Sequence, residues 1–399
     1  MGVAEQLSVG RKLVAERPGA LVVGLVGVLL LVDLVRKLTT GALPSPRFAS
    51  LLLDGLVIGL AYGLAGIGLS MTYSILNFAN FAHGDTVTVG AFAGWSVAYV
   101  VGGLGTAGFG SLFLLSSDPG LSVANAPLVV LVGVVAAGVG TVVLSLALDR
   151  IVYRPMRDAG GISLLIASIG VALALRYLVA FVYGVGVKGI TAASPKLALL
   201  SLDGAVGMGV LGPDQRVGEL AGPSEVAYYV GLPFANRNVT EVLVGLTFHQ
   251  IALALAAGGL MLGIHLLLQR TKLGKAMRAM ADNKALARVT GIPTERIIRM
   301  TWVIGGGLTG VAGFLIVLER GTMSFSFGWI LLLFIFAAVI LGGIGSVYGA
   351  MVGGVVIGVV DSVSIIWLPS SLTTAAAFAI LIVVLLLKPD GIFGGVTTA

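Results

Sequence analysis

The sequence contains no cysteine and few charged residues, and each shortage excludes a class of protein. Without cysteine the chain cannot form disulfides, bind zinc through thiolates or use a thiolate nucleophile. Only 11% of its 399 residues are charged, against about 25% in soluble globular domains, which is too few to cover a soluble surface. Since 57% of the residues are hydrophobic and the mean hydropathy is +1.07, the composition predicts a membrane protein with many spans.

The sequence patterns that mark hydrolytic enzymes and ATP sites are also missing. No HExxH, GxSxG or GxxxxGKS/T pattern occurs, and His83, His249 and His265 fall on separate segments. We therefore expect no catalytic residue, no metal site and no cofactor on this chain. Any ATP and Mg that the protein uses must then be bound by other chains.

Long apolar runs fill most of the sequence. A helix needs about 20 mostly apolar residues to cross the hydrocarbon, and ten stretches are candidates for spans. They cover residues 19–35, 51–76, 85–101, 127–148, 162–183, 244–268, 298–318, 327–341, 347–367 and 373–387. The predicted fold class is therefore an all-α polytopic membrane bundle of about ten spans, and at least eight.

Basic residues concentrate in one stretch, which orients the predicted spans. Cytoplasmic loops of membrane proteins carry an excess of Lys and Arg. Residues 269–299 hold eight of the 24 basic residues and only two acidic ones, so this loop is predicted to be cytoplasmic. The eight are Arg270, Lys272, Lys275, Arg278, Lys284, Arg288, Arg296 and Arg299. The pI near 9.6 then reflects membrane topology, and no nucleic-acid partner is needed to explain it.

The alternation of spans assigns a side to the other loops. Arg150, Arg154 and Arg157 fall on the cytoplasmic side, as does the C-terminus, whereas residues 184–243 form an extracytoplasmic segment. This segment is either a partly ordered cap that could touch an external protein or a loose linker. Three basic residues resist the charge rule because the alternation puts them outside. They are Arg36, Lys37 and Arg47.

Residues 1–48 form an N-terminal extension with features of both an anchor and a signal peptide. The apolar run from 19 to 32 is short, and Arg11, Lys12 and Arg17 precede it. Because no clear small-residue cleavage site follows, we predict an uncleaved signal-anchor helix with a cytoplasmic N-terminus.

Two segments interrupt the apolar pattern, NFANFAHGD in residues 77–85 (the first break) and the glycine-rich turn of residues 342–346 (the second break). Backbone groups freed at membrane depth must be surrounded by protein or by a water-filled cavity, and transporters use such half-helix ends to bind polar substrate groups. A plain cytoplasmic turn is the alternative at both places. The residues we predict to line a substrate pathway are Asn77, Asn80, His83, Gly84, Asp85, Gly342, Gly343, Gly345 and Ser346.

Charged side chains within spans are costly and are functional candidates by default. Arg176 lies deep in its span and needs a partner, and Asp361 falls well inside another. For both, a functional role and structural pairing are equally open. Asp54 lies one turn into its helix, where we expect it to reach the outer interface. The many glycines of the spans, among them Gly59 and Gly310, predict close helix packing.

The basic loop predicts two short helices. Small residues precede Asp282, which can cap a second helix beginning at Asn283, and Gly291 and Pro293 stop that helix. The small-residue and basic faces of these helices suit a groove in a partner protein. A solvated loop that only provides the charge bias is the alternative.

The same loop resembles the ATPase-docking loop of ABC importer permeases. The matching residues are Gly274, Ala276, Arg278, Ala279, Asp282, Asn283, Ala287, Gly291 and Ile292. Four further motifs are similar to those of the branched-chain amino acid permease family. They are NFAHGD in the first break, YRPMR at 153–157, LGGIGSVYGA at 341–350 and KPDGIFG at 388–394. The N-terminal extension and the long segment 184–243 depart from the family pattern.

The resemblance implies an ABC permease domain over residues 49–394 with an ATPase-docking loop at 269–297, in a transport subunit that is not an enzyme. The implied partners are a second permease, two cytoplasmic ATPase subunits that hold ATP and Mg, and an extracytoplasmic binding protein at the plasma membrane. The implied cargo is a branched-chain or other small amino acid. Urea or a short amide is the alternative cargo, and an ion-coupled secondary transporter that uses Asp54, Arg176 and Asp361 is the alternative mechanism.

Overall fold

The chain forms a bundle of apolar helices with a small sheet at one end. The structure is a computed structural model that describes residues 18–157, 159–202, 205–213, 226–230 and 239–393. Arg11, Lys12 and Arg17 of the predicted anchor segment, residue 394 at the end of the predicted permease domain and parts of the segment 184–243 lie outside the described residues.

The helices follow the predicted spans closely. They are α1 (Pro18–Thr39), α2 (Ser45–Leu76), α3 (Ala82–Gly103), α4 (Phe109–Phe113), α5 (Pro127–Leu148), α6 (Gly161–Tyr183), α7 (Phe248–Arg270), α8 (Lys272–Asp282), α9 (Lys284–Val289), α10 (Thr294–Arg320), α11 (Phe327–Gly342), α12 (Val347–Val363) and α13 (Thr373–Leu387). A π-helical turn (Asp149–Tyr153) extends α5, and 3₁₀ turns (Ser364–Ile366 and Ser370–Leu372) lie between α12 and α13.

Eight helices in the described part of the chain are long and apolar enough to cross a membrane, counting the turns that extend α5, α12 and α13. The helix α11 is also apolar but has only 16 residues. The predicted all-α polytopic bundle is therefore confirmed. The helix α1 forms where the anchor was predicted, and its role as a signal anchor stays a prediction.

The segment 184–243 contributes strands, which the sequence did not predict. They are β1 (Lys188–Gly189), β2 (Lys196–Leu202), β3 (Ala205–Leu211), β4 (Val226–Val230) and β5 (Val239–Thr247), while β6 (Thr322–Met323) follows α10. The last four strands of the segment form an antiparallel sheet in the order β4-β3-β2-β5, and β1 pairs with β6. We call the side of the bundle at this sheet the sheet end. The opposite side, where α8 and α9 lie, is the loop end.

The predicted start of the sixth span at residue 244 is wrong. Residues 244–247 belong to β5, and α7 begins at Phe248. The boundary is set by a capping box, in which the Thr247 hydroxyl accepts a hydrogen bond from the Gln250 amide and the Gln250 side chain accepts one from the Thr247 amide. The apolar residues before this cap pair with β2 instead of extending the helix.

Helices in the core approach one another through glycines. A Cβ added at Gly354 of α12 would lie 2.3 Å from the backbone nitrogen of Gly63 in α2, and one added at Gly59 would lie 2.7 Å from the Val355 Cα. Gly310 of α10 meets the Thr141 hydroxyl of α5 in the same way, at 2.1 Å. The close packing predicted for the span glycines is therefore confirmed at these interfaces.

The end of α1 is held on the bundle by polar contacts at Asp33. This carboxylate pairs with Arg36 at 2.8 Å and with Lys37 at 3.1 Å, and it accepts a hydrogen bond from the Trp367 indole at 2.9 Å. The Lys37 ammonium also donates to the Ile366 carbonyl. Two of the three basic residues that resist the charge rule are therefore compensated by a neighbouring acid.

We expect Gly354→Ala to lower the free energy of unfolding by about 1–3 kcal/mol, because the new methyl group collides with the backbone of Gly63. Gly259→Ala is the matched control, since a Cβ there meets nothing within 4 Å and alanine favours the helix. Thermal unfolding of both purified proteins in detergent measures the difference. Equal transition temperatures would contradict close packing between α2 and α12.

Candidate functional site

The first break starts at the loop end of the bundle and leads into its interior. Asn77 ends α2 in the left-handed conformation, with φ of 56°, and its carbonyl lies beside Gly161 at the start of α6. Four residues later the Phe81 amide donates to the Ser168 hydroxyl at 3.0 Å. Ser168 lies seven residues into α6, which is about 10 Å along a helix. The chain therefore runs along α6 into the bundle before α3 begins at Ala82.

Polar side chains of the first break form hydrogen bonds with backbone groups inside the bundle. The Asn80 carboxamide oxygen accepts hydrogen bonds from the Ala82 amide at 3.1 Å and from the Tyr153 hydroxyl at 3.2 Å. The His83 Nε2 lies 2.9 Å from the Ala65 carbonyl of α2, to which it donates in the neutral tautomer. Asn80, His83 and Tyr153 are buried, so these bonds are made without bulk water.

A small polar cavity borders the break. Its wall combines hydroxyl, amide, imidazole and indole groups from α2, α3, α5 and α10 with two glycines that leave room between them. The lining residues are Thr72, Asn80, His83, Thr86, Ser145, Leu148, Trp302, Gly305, Gly306 and Thr309. The Trp302 indole N–H is buried and has no hydrogen-bond acceptor among the described residues. The arrangement is suited to an uncharged polar group or a water molecule.

Arg176 finds its partner in the first break. Its guanidinium donates two hydrogen bonds to the Asp85 carboxylate, from Nε at 3.0 Å and from NH2 at 2.9 Å. It also lies over the Trp329 ring, 4.7 Å from the centroid. Asp85 is fully buried and Arg176 nearly so. This bidentate pair joins α6 to the start of α3, and it explains how the deep arginine is accommodated.

The other intramembrane acids lie apart from this pair. Asp54 of α2 is half-buried and accepts a hydrogen bond from Gln250 at 2.8 Å, near the sheet end of α7. Asp361 is also half-buried, and its carbonyl accepts a hydrogen bond from Ser364 at the end of α12. The structure therefore does not bring Asp54 or Asp361 into one site with Arg176.

The second break is packed against the C-terminal segment. Gly343 and Gly345 have φ of 106° and 88°, values that favour glycine, and the Ser346 hydroxyl caps α12 by accepting from the Gly349 amide. The Phe393 amide donates to the Gly342 carbonyl at 2.9 Å. None of the predicted residues of this break lines the cavity described above. The residues predicted to line one substrate pathway therefore lie in two separate places in the structure.

The two short helices predicted in the basic loop are present as α8 and α9. Gly274 packs on α7, where a Cβ would lie 2.3 Å from the Leu267 carbonyl. Asn283 caps α9 by accepting from the Leu286 amide at 2.9 Å, so the predicted cap at Asp282 is wrong. Asp282 instead ends α8 and is exposed. An Asn in extended conformation between two helices can cap the second because its side-chain oxygen accepts a hydrogen bond from an amide in the first turn that follows it.

Most of the other residues of the predicted ATPase-docking motif determine the fold of the loop instead of forming its exposed surface. Ala287 is buried under α9, and Gly291 adopts φ of 83° to end that helix. The Ile292 amide donates to the Ala287 carbonyl at 3.0 Å. Arg278 donates a long hydrogen bond to Gln269, and Ala276 and Ala279 are half-buried.

Two exposed apolar residues of α9 were missed by the sequence analysis. Leu286 is 60% exposed and Val289 is 85% exposed, although α9 lies on the loop between spans. They are three residues apart, which places them on one face of the helix. The signal that could have identified them is this spacing within a capped helix whose opposite face carries the buried Ala287.

The YRPMR motif contributes to a second, partly exposed ion cluster at the loop end. The Arg157 guanidinium contacts Asp149 at 2.7 Å and Glu295 at 2.8 Å. Burial lowers the pKa of Arg157, but the hydrogen bonds to the two carboxylates outweigh it and raise the pKa above its usual value. Arg157 is therefore permanently charged and holds the end of α5 against the start of α10.

Comparisons with known proteins identify relatives of this chain. A family profile described as branched-chain amino acid transport system / permease component matches residues 51–387. The high-affinity branched-chain amino acid transport system permease protein LivH of Escherichia coli is 28% identical over 347 residues, which cover 87% of this chain and 96% of that protein. BraD of Pseudomonas aeruginosa, described in the same words, is 28% identical over 86% of this chain and 94% of its own length. A probable branched-chain amino acid transport permease protein LivH of Methanocaldococcus jannaschii is 27% identical over 83% of this chain and 88% of its own length. No solved structure matches the chain.

We expect Asp85→Asn to lower the free energy of unfolding by about 3–5 kcal/mol, because it leaves the buried Arg176 charge without a partner. Removing both charges with Asp85→Asn and Arg176→Gln should restore part of this loss. Asp282→Asn at an exposed position is the control and should be neutral. Unfolding in denaturant, followed by tryptophan fluorescence, measures all three. The pairing argument fails if Asp85→Asn and Asp282→Asn unfold alike.

Proposed function

We propose that this chain, which belongs to the branched-chain amino acid transport permease family, is the membrane subunit of an ATP-driven importer of small amino acids. The observation that carries the proposal is the pair of capped helices α8 and α9 at the loop end. They present an apolar face to the aqueous side of a membrane bundle, where a partner protein is needed to cover it.

The docking surface is formed by Leu286 and Val289. Both side chains are largely exposed, and the basic residues Lys284 and Arg288 flank them on the same short helix. A helix that projects two apolar side chains from a polar rim fits a hydrophobic groove in a partner. We assign this partner to the two cytoplasmic ATPase subunits, which bind ATP and Mg. The loop end is then cytoplasmic, as the distribution of basic residues predicts.

The substrate pathway passes beside the first break. Asn80 and His83 line the cavity, and α3 begins there with its N-terminal amides inside the bundle. The amides of Phe81, Ala82 and His83 already donate to Ser168 and Asn80, so polar groups of the substrate would bind through side chains of the cavity wall when the cavity widens. The cavity is too small for an amino acid as it stands. Widening requires α10 to move away from α2 and α3, which alternating access supplies.

The remaining partners follow from the same assignment. Relatives named as branched-chain amino acid permeases support Leu, Ile, Val or another small amino acid as cargo. A second permease completes the pore, and an extracytoplasmic binding protein delivers cargo to the sheet end. The protein then lies in the plasma membrane with both termini in the cytoplasm.

The uncharged cavity favours one second candidate, an importer for urea or a short amide. Hydroxyl, amide and imidazole groups line the cavity, and no charged side chain does so among the described residues. Such a lining suits a neutral polar molecule as well as part of an amino acid. The ion-coupled alternative loses support because Arg176 is already bound to Asp85.

The experiment is reconstitution of this chain in proteoliposomes with ATPase, permease and binding-protein subunits from the same genome. We expect uptake of radiolabelled leucine that requires ATP inside the vesicles. Labelled urea in parallel vesicles separates the two cargo classes. Uptake by this chain without any ATPase, driven by an ion gradient, would contradict the proposal.

We expect Leu286→Asp with Val289→Asp to prevent the ATPase subunits from copurifying with the permease, because charges replace the apolar contact. Removing the central side chains of an interface costs about 2 kcal/mol or more, roughly a thirtyfold loss of affinity. Val187→Asp makes the same change at an exposed position near the sheet end and should leave ATPase binding intact. Pull-down with tagged ATPase tests both, and unchanged capture of the double variant would exclude α9 as the docking surface.

A further inference from the structure

We propose that Arg157 is a positioning residue that transmits movement of the docking loop to the first break, an inference that rests on the proposed function. The structure places one continuous set of contacts between the start of α10, which follows the docking loop, and the cavity. It begins at Glu295, passes through Arg157 and the turn that follows α5, and ends at Asn80.

The lower part of this connection is the ion cluster at the loop end. Arg157 NH1 lies 2.8 Å from both carboxylate oxygens of Glu295, and NH2 lies 2.7 and 2.9 Å from those of Asp149. Glu295 is the second residue of α10, which starts just after the loop ends at Pro293. A displacement of α8 and α9 that shifts the start of α10 therefore acts directly on Arg157.

The middle part is a short, internally bonded turn. The Arg154 amide donates to the Asp149 carbonyl at 2.7 Å, and the Met156 amide donates to the Tyr153 carbonyl at 3.2 Å. With the bond from the Arg157 amide to the Arg154 carbonyl at 3.4 Å, these bonds overlap along residues 149–157. Because the turn is bonded in this way, movement of Arg157 carries Tyr153 with it instead of being absorbed by a flexible linker.

The upper part is the buried side chain of Tyr153. Its ring stacks on Trp302 at 5.1 Å between centroids and contacts Phe78 at 5.3 Å. Its hydroxyl donates to the Asn80 carboxamide, whose oxygen also accepts from the first amide of α3. Tyr153 thus touches one wall of the cavity and bonds to the side chain that starts α3. A shift of Tyr153 changes both.

The contacts of Arg157 favour a role in transmitting movement over a role that only attaches the end of α5 to α10. One planar guanidinium binds two carboxylates from different helices, and its side chain is only 14% exposed. A lysine cannot make both bidentate contacts, because its ammonium is a single point charge. Neighbouring Arg154 also approaches Glu295, but at 3.8 Å and with 57% exposure, and it has no ion pair with Asp149. Arg154 is therefore a matched control for charge, position and partner.

The test compares Arg157→Met, Arg157→Lys and Arg154→Met in the reconstituted complex, with the wild-type complex as reference. The measured quantity is substrate imported per ATP hydrolysed, with ATPase copurification and thermal unfolding recorded for every variant. We expect Arg157→Met to keep ATP hydrolysis but to lower import per ATP about fivefold or more, the range of ordinary coupling between sites. We expect Arg157→Lys to behave in the same direction and Arg154→Met to match the wild type.

Tyr153→Phe tests the upper part without disturbing the ion cluster. It removes only the hydroxyl and keeps the ring stack on Trp302, so the protein should fold as before. We expect import per ATP to fall about twofold to tenfold, as loss of one hydrogen bond predicts. If Arg157→Met is too unstable to purify, this variant decides the matter by itself.

The outcomes separate the inference from the proposed function. Wild-type complexes that show no ATP-dependent import would contradict the proposed function. Wild-type complexes that import, with Arg157→Met and Tyr153→Phe importing equally well per ATP, would overturn the inference alone. A fall in ATP hydrolysis that matches the fall in import would also overturn it, because that pattern reports loss of structure or of docking instead of lost transmission.

Discussion

The chain between α2 and α3 is not helical, and its part from Phe78 to Phe81 runs into the bundle, where its polar groups must find partners within the protein. Water is scarce at this depth, so each group left without a partner costs several kcal/mol. The Ser168 hydroxyl accepts a hydrogen bond from the Phe81 amide, and the Asn80 side chain accepts one from the Ala82 amide. The need for these hydrogen bonds holds α6 beside the break. It also keeps polar residues in a region where an apolar core would otherwise form. The cavity is a consequence of the same requirement.

Glycine makes such a site possible without a loose core. A Cβ at Gly68 of α2 would lie 2.8 Å from the Gly305 carbonyl of α10, and one at Gly328 of α11 would lie 2.0 Å from the Gly84 carbonyl. With no side chains between them, the helices pack directly around the start of α3. Gly305 and Gly306 also border the cavity, where Trp302 and the hydroxyl groups form the polar wall. Glycines therefore take part both in the close packing and in the cavity wall.

The two ends of the bundle are joined by α7, a helix of 23 residues that a threonine caps at its start. Thr247 ends the last strand of the sheet and caps α7, and Thr271 follows α7 and caps α8 by accepting from the Gly274 amide. The sheet and the docking loop are thus fixed to one rigid rod, about 35 Å long. In the importer proposed above, α7 would connect the end that receives cargo to the end that contacts the ATPase subunits. Arg157 provides a second connection at the loop end, from α10 to α3.

The sequence by itself determined the class of protein, most of the long helices and the two short helices of the basic loop. The features that determined them are local. They are the apolar runs, the clusters of Lys and Arg, and the Gly and Asn residues that end or cap helices. Such features can be interpreted without knowing the fold. The start of α7 was misplaced because apolar residues of a strand and of a span look alike until pairing partners are known. Only the tertiary structure decided that Asp85 holds Arg176, that Tyr153 bonds to Asn80 and that the two breaks are separate. Those contacts join residues 73 to 91 positions apart, and no local pattern records which distant side chain will neutralise a buried charge or satisfy a freed backbone group.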